Sequence, residues 1–182
     1  KLRSVKKLLD LPTPCLVLDL DRFESNLDRM SAFTSQHRIA LRPHAKTHKC
    51  VQIARRQLQK GAIGICVATI AEAEVMARAG IRGLLITAEM AGEPKMSRLI
   101  AVVSQAPDTM VVIDDVTNAR DLQQRGMSAG MRISVLIDLD IGQDRTGIQP
   151  GKPALDLAEY ISSARNLHLR GSCADAGHVA HV

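Results

Sequence analysis

Arg42-Pro43-His44-Ala45-Lys46-Thr47-His48-Lys49 gathers three cations and two imidazoles into eight residues. The stretch follows an apolar run beginning at Ile39, so it falls at the carboxyl end of an expected strand. In parallel α/β folds that end is where ligands bind. A lysine in this company has a definite chemistry open to it. Neighbouring cations (Arg42, Lys49) and partial burial disfavour the ammonium form and draw its pKa down from about 10.4. A neutral amine then condenses with an aldehyde or ketone to a Schiff base. The same residues also read as a solvated basic loop between a strand and a helix, and charge alone leaves that alternative open.

Two further stretches carry chemistry. Asp140-Ile141-Gly142-Gln143-Asp144-Arg145-Thr146-Gly147 sets a permanent cation between two glycines that allow close backbone approach. Its plain alternative is a surface arginine paired with Asp144 or Asp140. Asp175, His178 and His181 stand at i, i+3 and i+6. In an extended or looped segment that spacing does not converge on a metal, so no metal ligands are assigned. Four cysteines (Cys15, Cys50, Cys66, Cys173) lie far apart, with no CxxC pair. Cys50 and Cys66 read as small core residues. Reduced thiols and a basic start, Lys1–Lys7, that runs into no long apolar segment lead to the expectation of a cytoplasmic protein.

Composition narrows the partners. Of 182 residues 46% are hydrophobic and 24% charged, as in a globular domain, and no apolar run reaches the roughly 20 residues of a membrane span. There is no Trp, one Tyr and two Phe. The core must therefore be aliphatic, and the stacking platforms of single-strand nucleic-acid binders are missing. The net charge is +5, and Arg29 to Ala71 holds eight Lys/Arg and no Asp or Glu. Without interleaved aromatics, that balance favours small phosphates or carboxylates over RNA.

The elements that must position these residues alternate. Apolar, β-branched runs are expected as strands at Cys15–Leu20, Ile39–Ala45, Ala62–Ala68, Gly83–Thr87, Thr109–Asp114, Arg132–Leu139 and Leu167–Cys173. Between them, helical spacing covers about 21–36, 49–60, 71–79, 94–104, a stretch ending near Arg125, and 153–163. Gly61, Gly80 and Gly126 stand where helix ends are expected. Strict alternation argues for an α/β fold with a parallel sheet. Periodicity leaves a doubly wound sheet and a (β/α)8 barrel equally open. The missing GxGxxG after the first strand weakens a dinucleotide reading.

RPHAKTHK, preceded by TPCLVLDLDRFESNLDRM, resembles the D-threonine aldolase and D-serine dehydratase family, pyridoxal-phosphate enzymes of the alanine racemase fold type. Gly64 to Thr69 with Glu72-Ala73-Glu74, Asp140 to Gly147, and Gly177 to Val182 extend the match over nearly the whole chain. The resemblance implies that Lys46, the lysine of the HxKT element, carries the cofactor in preference to Lys49. It implies that Arg145 lies beside the cofactor ring and its phenolic oxygen, with His44, Thr69 and His178 as further cofactor-binding residues. The sequence departs from the family where Asp175 stands for a tyrosine, Ala180 for a glutamine, and Ser172-Cys173 for an apolar residue and glutamine.

The same resemblance implies a (β/α)8 barrel of the alanine racemase N-terminal type. Residues 1–38 would form a strand and helix leading in, and 39–182 a partial cofactor-binding barrel with about six of eight strands. The family's C-terminal β domain, which supplies the ligands of a divalent metal, is not expected in this chain. Open strand edges would favour a homo-oligomer or association through the unfinished barrel. The implied function is a pyridoxal-phosphate-dependent lyase acting on D-3-hydroxy amino acids, of the D-threonine aldolase type, which releases glycine and an aldehyde. A D-serine dehydratase-like or racemase-like enzyme and a non-catalytic cofactor-binding remnant are the alternatives. The expected partner is a small D-amino acid, with neither nucleic acid nor membrane.

Overall fold

A computed structural model describes Lys7 and residues 10–181, the side chains of Ala180 and His181 excepted. Most of the basic start, and Val182, lie outside the described residues. The chain divides into two compact units, Lys1–Ile39 and Ala40–Val182. In the first, α1 (Leu20–Gln36) begins where Asp19 accepts the Arg22 N–H at 3.0 Å, an N-cap that satisfies one orphan amide. The strand expected at Cys15–Leu20 does not form: residues 15–19 pair with nothing in a ladder, and Leu16, Val17 and Leu18 are exposed. A β-branched run needs a neighbouring strand to become one.

The second unit is built on five parallel strands, β1 (Ile65–Val67), β2 (Leu84–Ile86), β3 (Met110–Ile113), β4 (Ile133–Leu139) and β5 (Leu167–Ala174). Between them run α3 (Ile70–Arg78), α4 (Glu93–Gln105), α5 (Val116–Ala129) and α6 (Lys152–Ser163), with α2 (Val51–Gln59) ahead of β1. The sheet order is β1-β2-β3-β4-β5. A doubly wound sheet reverses its order at a switch point, whereas an order that never reverses is that of a barrel wall. The strand order thus makes the choice that periodicity left open, for an incomplete barrel.

The strand expected at Ile39–Ala45 is corrected to a single bridge. Leu41 O accepts from Ile63 N–H at 2.9 Å, Pro43 O accepts from Cys66 N–H at 2.8 Å, and His44 pairs in parallel with Cys66. The segment lies beside β1 as a sixth strand would. Pro43 has no N–H to give, so no ladder can propagate through it. Among the described residues the barrel wall therefore counts five strands and a bridge.

Alternation along the strands separates two faces. Ile65, Val67, Leu84, Ile86, Val111, Ile113, Ile133, Val135 and Ile137 are buried in the core with Met76, Leu99, Val102, Leu122, Leu157 and Ile161 of the helices. Cys66, Leu85, Val112, Asp138 and Cys173 alternate with them, on the other side. That core is aliphatic, as the scarcity of aromatics requires. Among the described residues no helix is long and apolar enough to cross a membrane.

Helix ends fix where the connecting loops leave the sheet. Helix α5 runs past Gly126, which is buried inside it, and ends at Gly130 in the left-handed region (φ 64°). Its start is capped by Asp115, whose Oδ1 accepts the N–H groups of Thr117 (2.7 Å) and Asn118 (3.1 Å). The Asn118 bond, then those to Thr117, hold this carboxyl below its usual value. A depressed carboxylate stabilises the fold above its unfolded pKa, about 3.9, and that share is lost as pH falls below it. Asp115→Ala is expected to cost about 1 kcal/mol near pH 7 and little at pH 2–3, by chemical denaturation at the two pH values.

Candidate active site

A cleft of about 440 Å³ opens at the carboxyl ends of the strands, wholly within the second unit. His44 and Lys46 reach it from the segment beside β1, and Ala68 from the end of β1. Thr87, Ala88 and Glu89 follow β2, and Val112 and Asp138 belong to β3 and β4. Arg145 and Thr146 come from the loop after β4, while Cys173, Ala174 and Asp175 close the far side at the end of β5. The parallel sheet puts every one of these positions at the same end, which is how residues more than a hundred positions apart meet.

His44 does two things. It caps a short 3-10 turn, Ala45–Thr47, by accepting the Lys46 N–H at Nδ1 (3.2 Å). A nitrogen that accepts carries no proton, so the neutral ring is protonated at Nε2, which donates to Thr87 Oγ1 at 3.0 Å. Thr87 in turn donates to Val67 O at 3.2 Å. Burial first, and the Lys46 charge second, lower the His44 pKa, against the smaller opposing pull of Glu72 and Asp175. His48 is likewise lowered by burial, with Nδ1 accepting the Cys50 N–H at 3.0 Å. For a base whose folded pKa is depressed, stability is full above pH 6.5 and drains as pH falls below it. Stability is therefore expected to fall from pH 7 to pH 5, with a shallower slope in His44→Ala, as read by urea unfolding across that range.

The two lysines of the basic stretch part company. Lys46 is exposed and lines the cleft. Lys49 Nζ lies 3.6 Å from Glu72 Oε1. The guanidinium of Arg42 turns to the carbonyl of Gly83, at the amino end of β2, the opposite end of the sheet from the cleft. The crowd of cations expected around Lys46 is thus dispersed by the fold. Thr69 caps α3 by accepting the Glu72 N–H at 3.2 Å, while Glu72 reaches back to Ala68 N–H at 2.8 Å. Its hydroxyl is occupied there, one residue past the cleft wall.

Arg145 pairs with Asp175 at 2.6 Å rather than with Asp144 or Asp140. Its loop is held from several sides. Asp140 Oδ1 accepts the N–H groups of Gly142, Gln143 and Asp144 at 3.0, 3.1 and 3.2 Å. Gly147 N–H donates to Asp114 Oδ2 at 3.1 Å, and Thr146 Oγ1 donates to Asp138 Oδ2 at 2.9 Å. His178 stands against Gly142, outside the cleft lining. His181's side chain lies outside the described residues, and among these no group of three or more His, Cys, Asp or Glu gathers to hold a metal ion.

Three polar cleft residues escaped the sequence reading: Thr87, which meets His44, and two acids. Asp138 is 6% exposed inside a mostly apolar strand, and an acid within ISVLIDL was a signal that could have been read. Glu89 gave none: it follows a short strand and enters the cleft only through the curl of the chain after β2. Burial, then Asp114 and Asp138 beside it, raise its pKa, and its Oε1 is buried with no hydrogen-bond partner. The thiols are subdued. Burial pushes Cys66 up to about 11 and raises Cys173, with Asp138 adding to the latter.

Comparison with known proteins agrees with this geometry. The family model for the alanine racemase N-terminal domain matches residues 18–179. The chain is 38% identical over 174 residues to a D-threonine aldolase of an Arthrobacter species, covering 96% of this chain and 46% of that protein. The solved D-threonine aldolase of Filomicrobium marinum superposes with a TM-score of 0.88 at 42% identity, covering 91% of this chain and 44% of that one. The D-threo-3-hydroxyaspartate dehydratase of Delftia sp. HT23 gives a TM-score of 0.88 at 30% identity, over 96% of this chain and 46% of that one. The chain thus spans somewhat less than half the length of the relatives it matches. A parallel sheet in barrel order, a cleft at its carboxyl ends and a family match across nearly the full length lead to one assignment: this chain belongs to the alanine racemase N-terminal domain family.

Proposed function

We propose that this chain provides the cofactor-holding part of a pyridoxal-phosphate-dependent lyase that cleaves the Cα–Cβ bond of D-3-hydroxy amino acids, releasing glycine and an aldehyde. The observation that carries the reading is Lys46. It is the lysine that lines the cleft among the described residues, and its own amide is pinned by a neutral histidine. The most similar relatives named above are aldolases, and this favours the aldolase reading over the others of the family.

The residues present fit pyridoxal phosphate. A primary amine is available for its aldehyde, a guanidinium stands across the cleft, and the buried Glu89 Oε1 lacks a partner. The space is in the range of small-molecule sites. When bound, the cofactor supplies an electron sink for charge developing at Cα.

The chain's own residues divide the remaining work. Lys46 offers Nζ to the aldehyde. Neutral His44 accepts the Lys46 N–H and so fixes the backbone from which that amine projects. A protonated ring would lose this acceptor. Arg145 presents a permanent cation at the mouth, in the orientation Asp175 gives it. Glu89, whose acid form burial favours, sets an oxygen without a hydrogen-bond partner, Oε1, on the cleft wall. Thr69 and His178 act from behind, one by capping α3 and the other by packing on Gly142 in the loop that carries Arg145.

The test is to incubate the protein with pyridoxal phosphate, reduce with borohydride, digest and map the modified lysine, then to assay D-threonine. The expected result is an adduct confined to Lys46, with glycine and acetaldehyde formed from D-threonine and not from L-threonine. Labelling scattered over exposed lysines, with no glycine formed, would overturn the proposal. A second reading, dehydration, rests on the Delftia structure superposing as well as the aldolase does. Ammonia and a 2-oxo acid in place of glycine would select it.

A further inference from the structure

We propose that Asp175 sets the charge selectivity of the cleft, so that it takes 3-hydroxy amino acids with uncharged side chains and rejects those ending in a second carboxylate. The inference rests on the proposed function, because it concerns which substrate that reaction accepts.

The cleft's charged lining is two cations, Lys46 and Arg145, against three carboxyl groups, Glu89, Asp138 and Asp175. Lys46 is taken up by the aldehyde in the cofactor-loaded protein that the substrate meets. Arg145 is already matched by Asp175 at 2.6 Å. Asp175 is itself held in place by further donors. Gly177 N–H reaches Oδ1 at 3.1 Å, and the Gln143 amide, with its nitrogen turned toward Asp175, donates to its O and Oδ2 at 3.2 Å. Asp175 therefore cannot swing aside to release Arg145 to an incoming carboxylate without breaking several bonds. Asp138 offers such a carboxylate nothing either: it is buried and its Oδ2 is met by the Thr146 hydroxyl, not by a cation.

Distance and screening give these charges their reach. A cleft of about 440 Å³ is on the scale of the Debye length at physiological salt, about 8 Å. A second carboxylate anywhere inside it feels Asp138 and Asp175 together, and finds no free cation among the described lining residues. Two cleft residues each register neighbouring carboxylates. Asp138 and Asp114 push Glu89 toward its acid form, after burial, and Asp175 pulls His44 upward against burial.

The experiment compares kcat/KM for D-threonine and for 3-hydroxy-D-aspartate in the pyridoxal-phosphate-loaded protein and in its Asp175→Asn variant, which keeps the side chain's shape. D-threonine should be preferred by the parent. The variant should narrow that preference by roughly 3- to 10-fold, through the KM of the acidic substrate, the modest figure reflecting the half-exposure of Asp175. In the cofactor-free variant, the His44 ring followed by NMR should titrate at lower pH than in the parent. An unchanged preference in a variant that binds cofactor and cleaves D-threonine overturns the inference and leaves the proposed function standing. If neither protein takes the cofactor, the proposed function fails. The inference is then judged on the cofactor-free cleft by calorimetry with D-aspartate and D-alanine. Affinity for D-aspartate that rises in the variant supports it, and affinity that does not rise overturns it. Asp175→Ser, read in the same ways, decides the matter if Asp175→Asn does not fold.

Discussion

Lys46→Ala is expected to abolish the borohydride-trapped adduct and to lower turnover of D-threonine by roughly 10⁴-fold or more, the scale on which removal of a covalent catalytic group acts. The fold should be untouched, since the side chain is exposed and Lys46 is not part of the hydrophobic core. Lys46→Arg should fail as completely. A guanidinium keeps the charge but does not shed a proton at accessible pH, so it cannot add to an aldehyde. Lys49→Ala provides the contrast. Lys49 is largely exposed and pairs with Glu72, so its loss should cost well under 1 kcal/mol of stability and leave the adduct in place. Mass spectrometry of the reduced, digested protein and a glycine assay separate the three variants. A trapped adduct that persists in Lys46→Ala would remove Lys46 from its role.

Gly147→Ala should give the largest structural loss that also reaches the cleft. Gly147 sits at φ 104°, where a side chain is strained, and a Cβ there would run into the backbone at Asp140 N and Leu139 C. Neither obstacle is a side chain that can rotate away. Strain and overpacking together should cost roughly 3 kcal/mol, or about 10 °C in Tm for a chain of this size. The shift also loosens the two ties that seat the loop, Gly147 N–H to Asp114 and Ile148 N–H to Asp138 O at 2.9 Å. Arg145, two residues away, loses its position, so cofactor affinity should fall with stability. Gly130→Ala is the control: its φ is also positive, at 64°, but a Cβ there meets open space. It should cost only about 1 kcal/mol and leave cofactor binding unchanged. Differential scanning calorimetry and a cofactor titration read both variants.

The sequence carried the chemistry further than the geometry. HxKT and the DIGxxRTG turn were legible as single stretches, and both reach the cleft. The expected strands at Ala62–Ala68, Gly83–Thr87, Thr109–Asp114, Arg132–Leu139 and Leu167–Cys173 enclose or closely track β1 to β5; apolar runs buried on both faces make β2 and β3 unmistakable, whereas β5 is exposed over about half its length. The two that failed have separate physical causes. Cys15–Leu20 has the pattern without a partner strand, and Pro43 removes the N–H on which a ladder at Ile39–Ala45 would depend. The end of α5 was placed early because Gly126 resembles a stop, while the left-handed turn that ends the helix is at Gly130.

Residue types and local spacing, which the chain alone determines, settled that helices and parallel strands alternate, that the core is aliphatic, and that an amine-bearing loop follows the segment beside β1. These are short-range matters of propensity, burial period and turn chemistry. Strand order, and with it barrel over doubly wound sheet, was decided only in three dimensions. So were the pairing of Arg145 with Asp175 and the arrival of Glu89 and Asp138 beside Lys46. Each of these joins residues from different βα units, and no local pattern encodes a contact whose two halves lie 30 to more than 90 residues apart. The parallel sheet brings them together by setting every strand's carboxyl end at the same rim.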